Sequence, residues 1–157
     1  MDQKLVQTTK LVHISPAANY SGLAATTEWI SLKQYSRCRF IVDTGAWAAG
    51  NAAVTLKQAI NVSGSSSAAL AFAEYWTGTG DTLTKTTATS NTFNLAAANT
   101  KYVIEVNDKQ LSSTAGGVKR DCVSMAIGVA GGADFYAVIA ELYGARYEGN
   151  LPTAITD

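Results

Sequence analysis

Apolar and polar residues alternate along several short segments of the chain, and this alternation predicts its secondary structure. In segment 53–60, Val54, Leu56 and Ile60 fall on one face and the polar Lys57 falls on the other. A period of two is typical of a β-strand with one side in the core. We therefore expect a half-buried strand here.

The same alternation marks segments 37–43 and 101–107. Because successive side chains of a strand point to opposite faces, every second residue of each segment is expected in the core. The residues in this set are Cys38, Phe40, Val42, Tyr102, Ile104 and Val106.

Tryptophan and threonine positions extend this interpretation. Segment 70–78 places Phe72 and Trp76 on one face, and Trp29 lies in another predicted strand, so we expect both tryptophans in the core. Segment 82–96 is rich in threonine, a residue that suits exposed pleated surface better than helix.

Turn signals separate these strands at short intervals. With further strands predicted at 11–15, 28–34, 122–129 and 134–147, the chain has eight or nine. Short strands at such spacing predict an antiparallel sandwich or barrel. The clusters of Gly, Ser, Asp and Asn that form the turns are at 43–51, 63–67, 77–81, 112–117 and 130–134.

The two prolines, Pro16 and Pro152, bracket the strand-rich body. We divide the chain into an N-terminal arm at 1–20, one β-sandwich domain at 21–149 and a C-terminal tail at 150–157. The flanks are either disordered or ordered on a neighbouring subunit. Length suits one domain, since 157 residues bury most of their surface in a single core.

Composition changes this picture in one respect, the nature of the surface. Charged residues make up only 15% of the chain, and twelve basic residues balance twelve acidic ones. The surface must therefore be built from small polar residues, which suits packing against neighbours. The basic patch of a nucleic-acid-binding protein is missing, so we expect no nucleic-acid partner.

The beginning of the chain has no basic segment followed by an apolar one, and no run of about 18 apolar residues occurs. We expect no membrane partner, and synthesis and folding in the cytoplasm. Cys38 and Cys122 each lie in a predicted strand. In a reducing compartment they are expected as buried thiols; a disulfide would require the two strands to be neighbours.

Candidate catalytic residues are few. The single histidine, His13, has no nucleophile motif near it. Glu74, Glu105 and Glu141 lie in predicted strands, where a carboxylate usually pairs with a basic residue on the next strand. We expect neither an enzyme nor a bound cofactor.

Metal-binding spacings of the CxxC or HExxH type are missing as well. A Ca²⁺ site of loop oxygens remains open, because Ca²⁺ takes carboxylate and amide ligands. The loop residues that could supply them are Asp43, Asn51, Asp81 and Asp134.

Aromatic residues near turns are the best candidates for protein contact. Trp47 lies in the turn at 43–51, where it either covers the end of the sandwich or anchors a partner. Tyr143, Arg146 and Tyr147 lie at the end of the last strand, and Tyr and Arg are enriched at interfaces.

Three stretches together resemble small virion proteins of tailed bacteriophages, the head decoration or cement proteins that stabilise the capsid. They are "CRFIVDTGAWAAGNAAVTLKQAINVSGSSSAALAF", "TKYVIEVNDKQL" and "DCVSMAIGVAGGADFYAVIAELYGARYEG". The resemblance covers about residues 28–149 and rests on strand patterns. It implies an all-β, single-domain antiparallel β-sandwich, jelly-roll-like, with extended N- and C-terminal arms.

The resemblance also implies a role and its partners. The protein would bind the outer surface of the capsid, contact the major capsid protein without covalent bonds, and form a homo-oligomer, either a trimer or a lattice-associated assembly. Leu11 and His13 from one arm, and Leu151 from the other, would reach neighbours. Two alternatives remain open: a tail or fibre virion protein, and a carbohydrate-binding β-sandwich module.

Overall fold

The structure is a computed structural model that describes residues 8–20, 23–89, 91–129, 131–146, 151 and 153–155. Twelve β-strands and a single 3₁₀ turn at Asp108–Gln110 lie within these residues. The strands are β1 (Lys10–Asn19), β2 (Ala25–Thr26), β3 (Ile30–Ser31), β4 (Tyr35–Thr44), β5 (Ala52–Ala59), β6 (Ala68–Ala69), β7 (Glu74–Gly78), β8 (Thr84–Thr87), β9 (Thr92–Leu95), β10 (Lys101–Asn107), β11 (Cys122–Ile127) and β12 (Phe135–Ala145).

The strands form two antiparallel sheets. Sheet 1 has the order β1-β12-β4-β10-β7-β8. Sheet 2 has the order β2-β11-β5-β6, with β3 also paired to β11 and β9 also paired to β5. Each sheet buries one face against the other, and the shared core lies between them.

The connectivity is that of a jelly roll. The first strand pairs with the last, β2 and β3 pair with β11, β4 pairs with β10, and β5 pairs with β9. Along the chain these nested pairs alternate between sheet 1 and sheet 2, which is the arrangement of a double-sheet jelly roll. The predicted all-β antiparallel sandwich of jelly-roll type is confirmed.

The core follows the period-two pattern of the sequence. All six side chains assigned to it from β4 and β10 are buried, from Cys38 to Val106. Tyr35, which begins β4, is fully buried as well. Burying a large apolar side chain contributes roughly 1.5–3 kcal/mol each, so these central strands supply much of the stability.

The prediction for the two strand tryptophans was wrong. Trp29 and Trp76 are only partly buried and lie outside the core cluster. Strand β7 begins at Glu74, so the alternation counted from Phe72 does not continue into it. Phe72 is buried, whereas Trp76 lies opposite Val103 on the outer face of sheet 1.

Both terminal segments contribute to the folded body. The predicted arm at 1–20 includes, from Lys10, the edge strand β1, which pairs with β12 along its length; residues 1–7 lie outside the described residues. In the tail, Ala154 is fully buried and its carbonyl oxygen accepts a hydrogen bond of 2.6 Å from the Ser31 amide.

The two cysteines lie in different sheets. Cys38 is buried in β4 of sheet 1, and Cys122 is buried in β11 of sheet 2, where its thiol donates to Asp121 Oδ1 at 3.3 Å. The expected buried thiols are confirmed. Within the described ranges, no helix has the length and apolar character needed to span a membrane.

Candidate protein-contact surface

A line of apolar side chains crosses the outer face of sheet 1, perpendicular to the strands. Cross-strand pairing places Ile139 beside Ile41, Ile41 beside Val103, and Val103 beside Trp76. We call these four residues the apolar row. His13 on β1 and Lys85 on β8 continue the line at its two ends.

A shallow groove of about 470 Å³ lies over the Trp76 end of the apolar row. Leu83, which precedes β8, projects into it and is 44% exposed, and Ile139 further along the row is 37% exposed. The residues that line the groove are Arg39, Ile41, Trp76, Leu83, Lys101, Val103 and Glu105. Apolar walls with a few polar groups are typical of binding surfaces.

A network of paired charges borders the apolar row on one side. Arg39 Nη1 lies 3.1 Å from Glu141 Oε2, Arg39 Nη2 lies 3.6 Å from Glu105 Oε2, and Arg37 Nη1 lies 3.0 Å from Glu105 Oε1. The Tyr143 ring completes the group, which we call the Arg–Glu–Tyr cluster. The guanidinium carbons of Arg37 and Arg39 lie 5.9 and 5.4 Å from the centroid of that ring.

The cluster shifts the pKa values of its members. Partial burial alone would raise the pKa of Glu105, but the nearby Tyr143 hydroxyl and the charges of Arg37 and Arg39 outweigh burial, and the pKa is lowered. Burial, together with the facing Glu105 carboxylate, raises the pKa of the Tyr143 hydroxyl. With two arginines and two glutamates, the cluster has no net formal charge.

The opposite border of the apolar row carries a second pair of charges. Asp43 on β4 lies directly across from Lys101 on β10, and both residues are exposed. Ala137 on β12 lies beside Asp43. The apolar row is therefore flanked on both sides by opposite charges on adjacent strands.

Three of the residues predicted for protein contact lie on this face or at its edge. Tyr143 belongs to the Arg–Glu–Tyr cluster. On β1, Leu11 lies opposite Glu141 and is 66% exposed, and His13 lies opposite Ile139 and is exposed. Their use in a contact stays a prediction.

The other candidates lie elsewhere. Arg146 follows β12 and contacts Asp108 at 3.6 Å, and Tyr147 lies outside the described residues. Trp47 packs against the core, and its Nε1 donates to the Gly50 carbonyl at 3.0 Å, in keeping with a side chain that covers the end of the sandwich. Leu151 also packs partly buried against the core.

The three strand glutamates and one of the four possible Ca²⁺ ligands, Asp134, have structural partners. Glu74 pairs with Lys85, while Glu105 and Glu141 pair with arginines. The Asp134 carboxyl group is fully buried and accepts hydrogen bonds from the Ala48 and Gly132 amides. Among the described residues, no group of three or more His, Cys, Asp or Glu side chains could hold a metal ion.

The apolar row was missed by the sequence interpretation, although the sequence holds a signal for it. Half-buried strands alternate, but 40–42, 102–104 and 137–140 are continuous apolar runs. Such runs place apolar side chains on both faces of a strand. Ile41, Val103 and Ile139 are the outward members of these three runs.

Comparison with known proteins gives few matches. No protein-family model matches the chain, and no curated protein matches it. One solved chain, from the naturally occurring empty particles (top component) of cowpea mosaic virus, is similar over 100% of this chain and 98% of its own length, with 8% identity and a TM-score of 0.43. A chain from the Gt strain of infectious bursal disease virus is similar over 92% of this chain and 44% of its own, with 12% identity and a TM-score of 0.22.

Proposed function

We propose that this chain is a structural virion protein that works by non-covalent contact, and specifically that it binds the outer surface of a tailed-phage capsid and stabilises the lattice of the major capsid protein. The observation that carries the proposal is the outer face of sheet 1, where the apolar row lies between balanced charges. Trp, Tyr and Arg dominate binding energy at protein interfaces, and all three occur there.

The fold and the surface chemistry both support this role. Jelly rolls build many viral capsid domains, although they also occur in lectins and cupins, so the fold alone does not decide the function. A surface with few charges packs against many neighbours without repulsion. Repetition on a lattice makes weak single contacts effective, because each added contact becomes intramolecular.

The proposal is tested by co-sedimentation of the purified protein with expanded phage heads that lack a decoration protein. We expect saturation at a copy number commensurate with the capsid lattice. Trp76→Ala should weaken binding about fivefold or more, since it removes the largest side chain of the contact face. Val118→Ala, at an exposed loop position, is the matched control and should bind as the unmodified protein does.

Two outcomes would contradict the decoration role. If the protein binds purified tails or fibres instead of heads, it is a virion protein of another location. If it binds neither, the virion proposal is wrong.

A carbohydrate-binding module is the second candidate, and the groove beside Trp76 is the observation that favours it. Arg39, Lys101 and Glu105 line the same groove and supply hydrogen-bonding groups. Glycan-array binding that Trp76→Ala abolishes and Trp47→Ala leaves intact would establish this function. The sequence pointed to Trp47, but its ring packs on the core.

A further inference from the structure

The charges on the outer face of sheet 1 alternate in sign in an order that fits a second copy of this chain. On β4 the outward residues are Arg39, Ile41 and Asp43 in succession, so the apolar row has a positive charge on one side and a negative charge on the other. On the adjacent β10, Glu105 lies across from Arg39 and Lys101 lies across from Asp43. The signs on β10 are therefore reversed relative to β4.

This order of charges is self-complementary under a two-fold rotation. The rotation axis runs parallel to the apolar row and lies just above it, between the two copies. The rotation lays a second copy face to face on the first and exchanges the two borders of the row. Arg39 of one copy then lies over Asp43 of the other, and Glu105 lies over Lys101. Symmetry repeats both contacts, so opposite charges meet at four places.

We propose that the outer face of sheet 1 is the interface of a homodimer with this two-fold axis. The apolar row packs on itself at the centre, with Ile41, Val103, Ile139 and Trp76 removed from water. The Arg39–Asp43 and Glu105–Lys101 contacts between copies form the rim. Sheets that pack face to face lie about 10 Å apart, a distance that two such side chains together can bridge.

The size of the face agrees with a specific but modest interface. Six strands spaced about 4.8 Å apart span about 24 Å. Because β4 and β12 are long while β7 and β8 are short, the face offers roughly 600 Å² per copy, or about 1,200 Å² in total, the lower end of specific protein interfaces.

The pairs within one chain are compatible with the dimer. Arg39 and Glu105 keep their contacts with each other and with Glu141 and Arg37, because an arginine and a carboxylate each accommodate several partners. Asp43 and Lys101 are exposed in the single chain. Asp43 and Lys101 therefore gain the most in opposite-charge contacts when a second copy binds. The dimer and the proposed capsid contact use the same face, so we expect the two to compete, but sedimentation of the isolated protein tests the dimer by itself.

The first test is the molar mass of the full chain in solution, measured by sedimentation equilibrium over a range of concentrations. We expect a monomer–dimer equilibrium. Ile139→Glu should weaken it about tenfold or more, since it buries a charge at the centre of the interface. Val118→Glu places the same charge at an exposed position outside sheet 1 and should leave the equilibrium unchanged.

The second test uses charge reversal and mixing. Lys101→Glu alone sets two carboxylates against each other across the interface, and Glu105→Lys alone sets two ammonium groups together, so each variant should be mostly monomeric. An equimolar mixture restores both opposite-charge contacts in a heterodimer and should recover the dimer. Thermal unfolding of each variant confirms that it is folded.

Three results would overturn the inference. They are an unmodified protein that stays monomeric up to its solubility limit, a dimer that Ile139→Glu leaves intact, and folded charge variants whose mixture does not associate. Failure to bind phage heads would leave the dimer standing, so the two proposals fail separately.

Discussion

Asp134 shows how one buried polar side chain joins two loops. Its Oδ1 accepts a hydrogen bond from the Ala48 amide at 2.7 Å, and its Oδ2 accepts one from the Gly132 amide at 3.2 Å. The loop after β4 and the loop before β12 are thereby held together. The sequence marked Asp134 as a turn residue with open metal-binding potential. Its role in the structure is that of an acceptor for backbone amides.

Asp134→Ala should lower the free energy of unfolding by about 2–3 kcal/mol, because it leaves two amides without their acceptor. Asp134→Asn keeps one side-chain oxygen and should lose about half as much. Urea unfolding followed by far-UV circular dichroism measures both. Equal losses in the two variants would show that the hydrogen bonds are not the cause.

Two buried groups that ionise at high pH, the Cys38 thiol and the Tyr136 hydroxyl, predict a loss of stability there. Burial raises the pKa of the Cys38 thiol, and burial together with the charge of Tyr20 raises the pKa of Tyr136. Both groups stay protonated in the folded chain at pH values where they lose their protons in the unfolded chain. In the unfolded chain, deprotonation begins at a pH of about 8.5 for Cys and about 10 for Tyr. The unfolded state then binds fewer protons, so stability falls as pH rises.

We expect the free energy of unfolding to decrease steadily above a pH of about 8.5, measured by denaturant titration at several pH values. In Cys38→Ala the decrease above a pH of about 8.5 should be smaller, because the contribution of the Cys38 thiol is lost. A decrease of the same size in both proteins would contradict the assignment to Cys38.

The β7–β8 hairpin depends on a close backbone approach. Gly78 ends β7, and a Cβ placed there would overlap the carbonyl oxygen of Thr82 in the connecting loop. The lack of a side chain at this position lets the loop fold back tightly. Trp76 and Leu83 on either side of the loop are thereby brought to the same groove.

Gly78→Ala should destabilise the protein by about 1–3 kcal/mol, since backbone atoms must move to admit the methyl group. Gly116→Ala is the matched control, because a Cβ there makes only an ordinary van der Waals contact, 3.9 Å from Thr114 Oγ1, and its backbone needs no positive φ. Thermal unfolding compares the two. A cost for Gly116→Ala as large as that for Gly78→Ala would contradict this explanation.

The sandwich as a whole extends beyond the predicted body. The tail contributes the buried Ala154 to the core, next to the hydrogen bond that its carbonyl oxygen accepts from Ser31. At the other end of the chain, β1 is the edge strand of sheet 1 and pairs with β12. An arm whose ten-residue strand pairs with the last strand is part of the domain.

Ala154→Asp should lower stability by about 3 kcal/mol or more, because it places a charge in the core without a partner. The adjacent Ile155→Asp changes a side chain that is 42% exposed and should have little effect. Guanidinium unfolding curves measure the difference. Equal stability of the two variants would show that the tail is not packed in solution.

The sequence by itself determined the main strands and much of the core, because period-two alternation decides which side of a strand meets water. Cys38, Phe40 and Val42 were assigned correctly from this pattern alone. Strand and turn spacing predicted an antiparallel sandwich or barrel, and the resemblance to virion proteins implied the sandwich. Local patterning does not state which strands are neighbours. That β1 lies beside β12, and that the tail packs on Ser31, depends on long-range pairing.

Which outward side chains meet on the contact face was decided only by the tertiary structure. Arg37, Arg39, Glu105 and Tyr143 come from three separate strands, and their order in the sequence gives no sign that they meet. Trp76 was placed in the core because its alternation was counted from Phe72, a residue before the strand begins. The register between strands sets which outward side chains become neighbours, and register is fixed by the packing of the whole sheet.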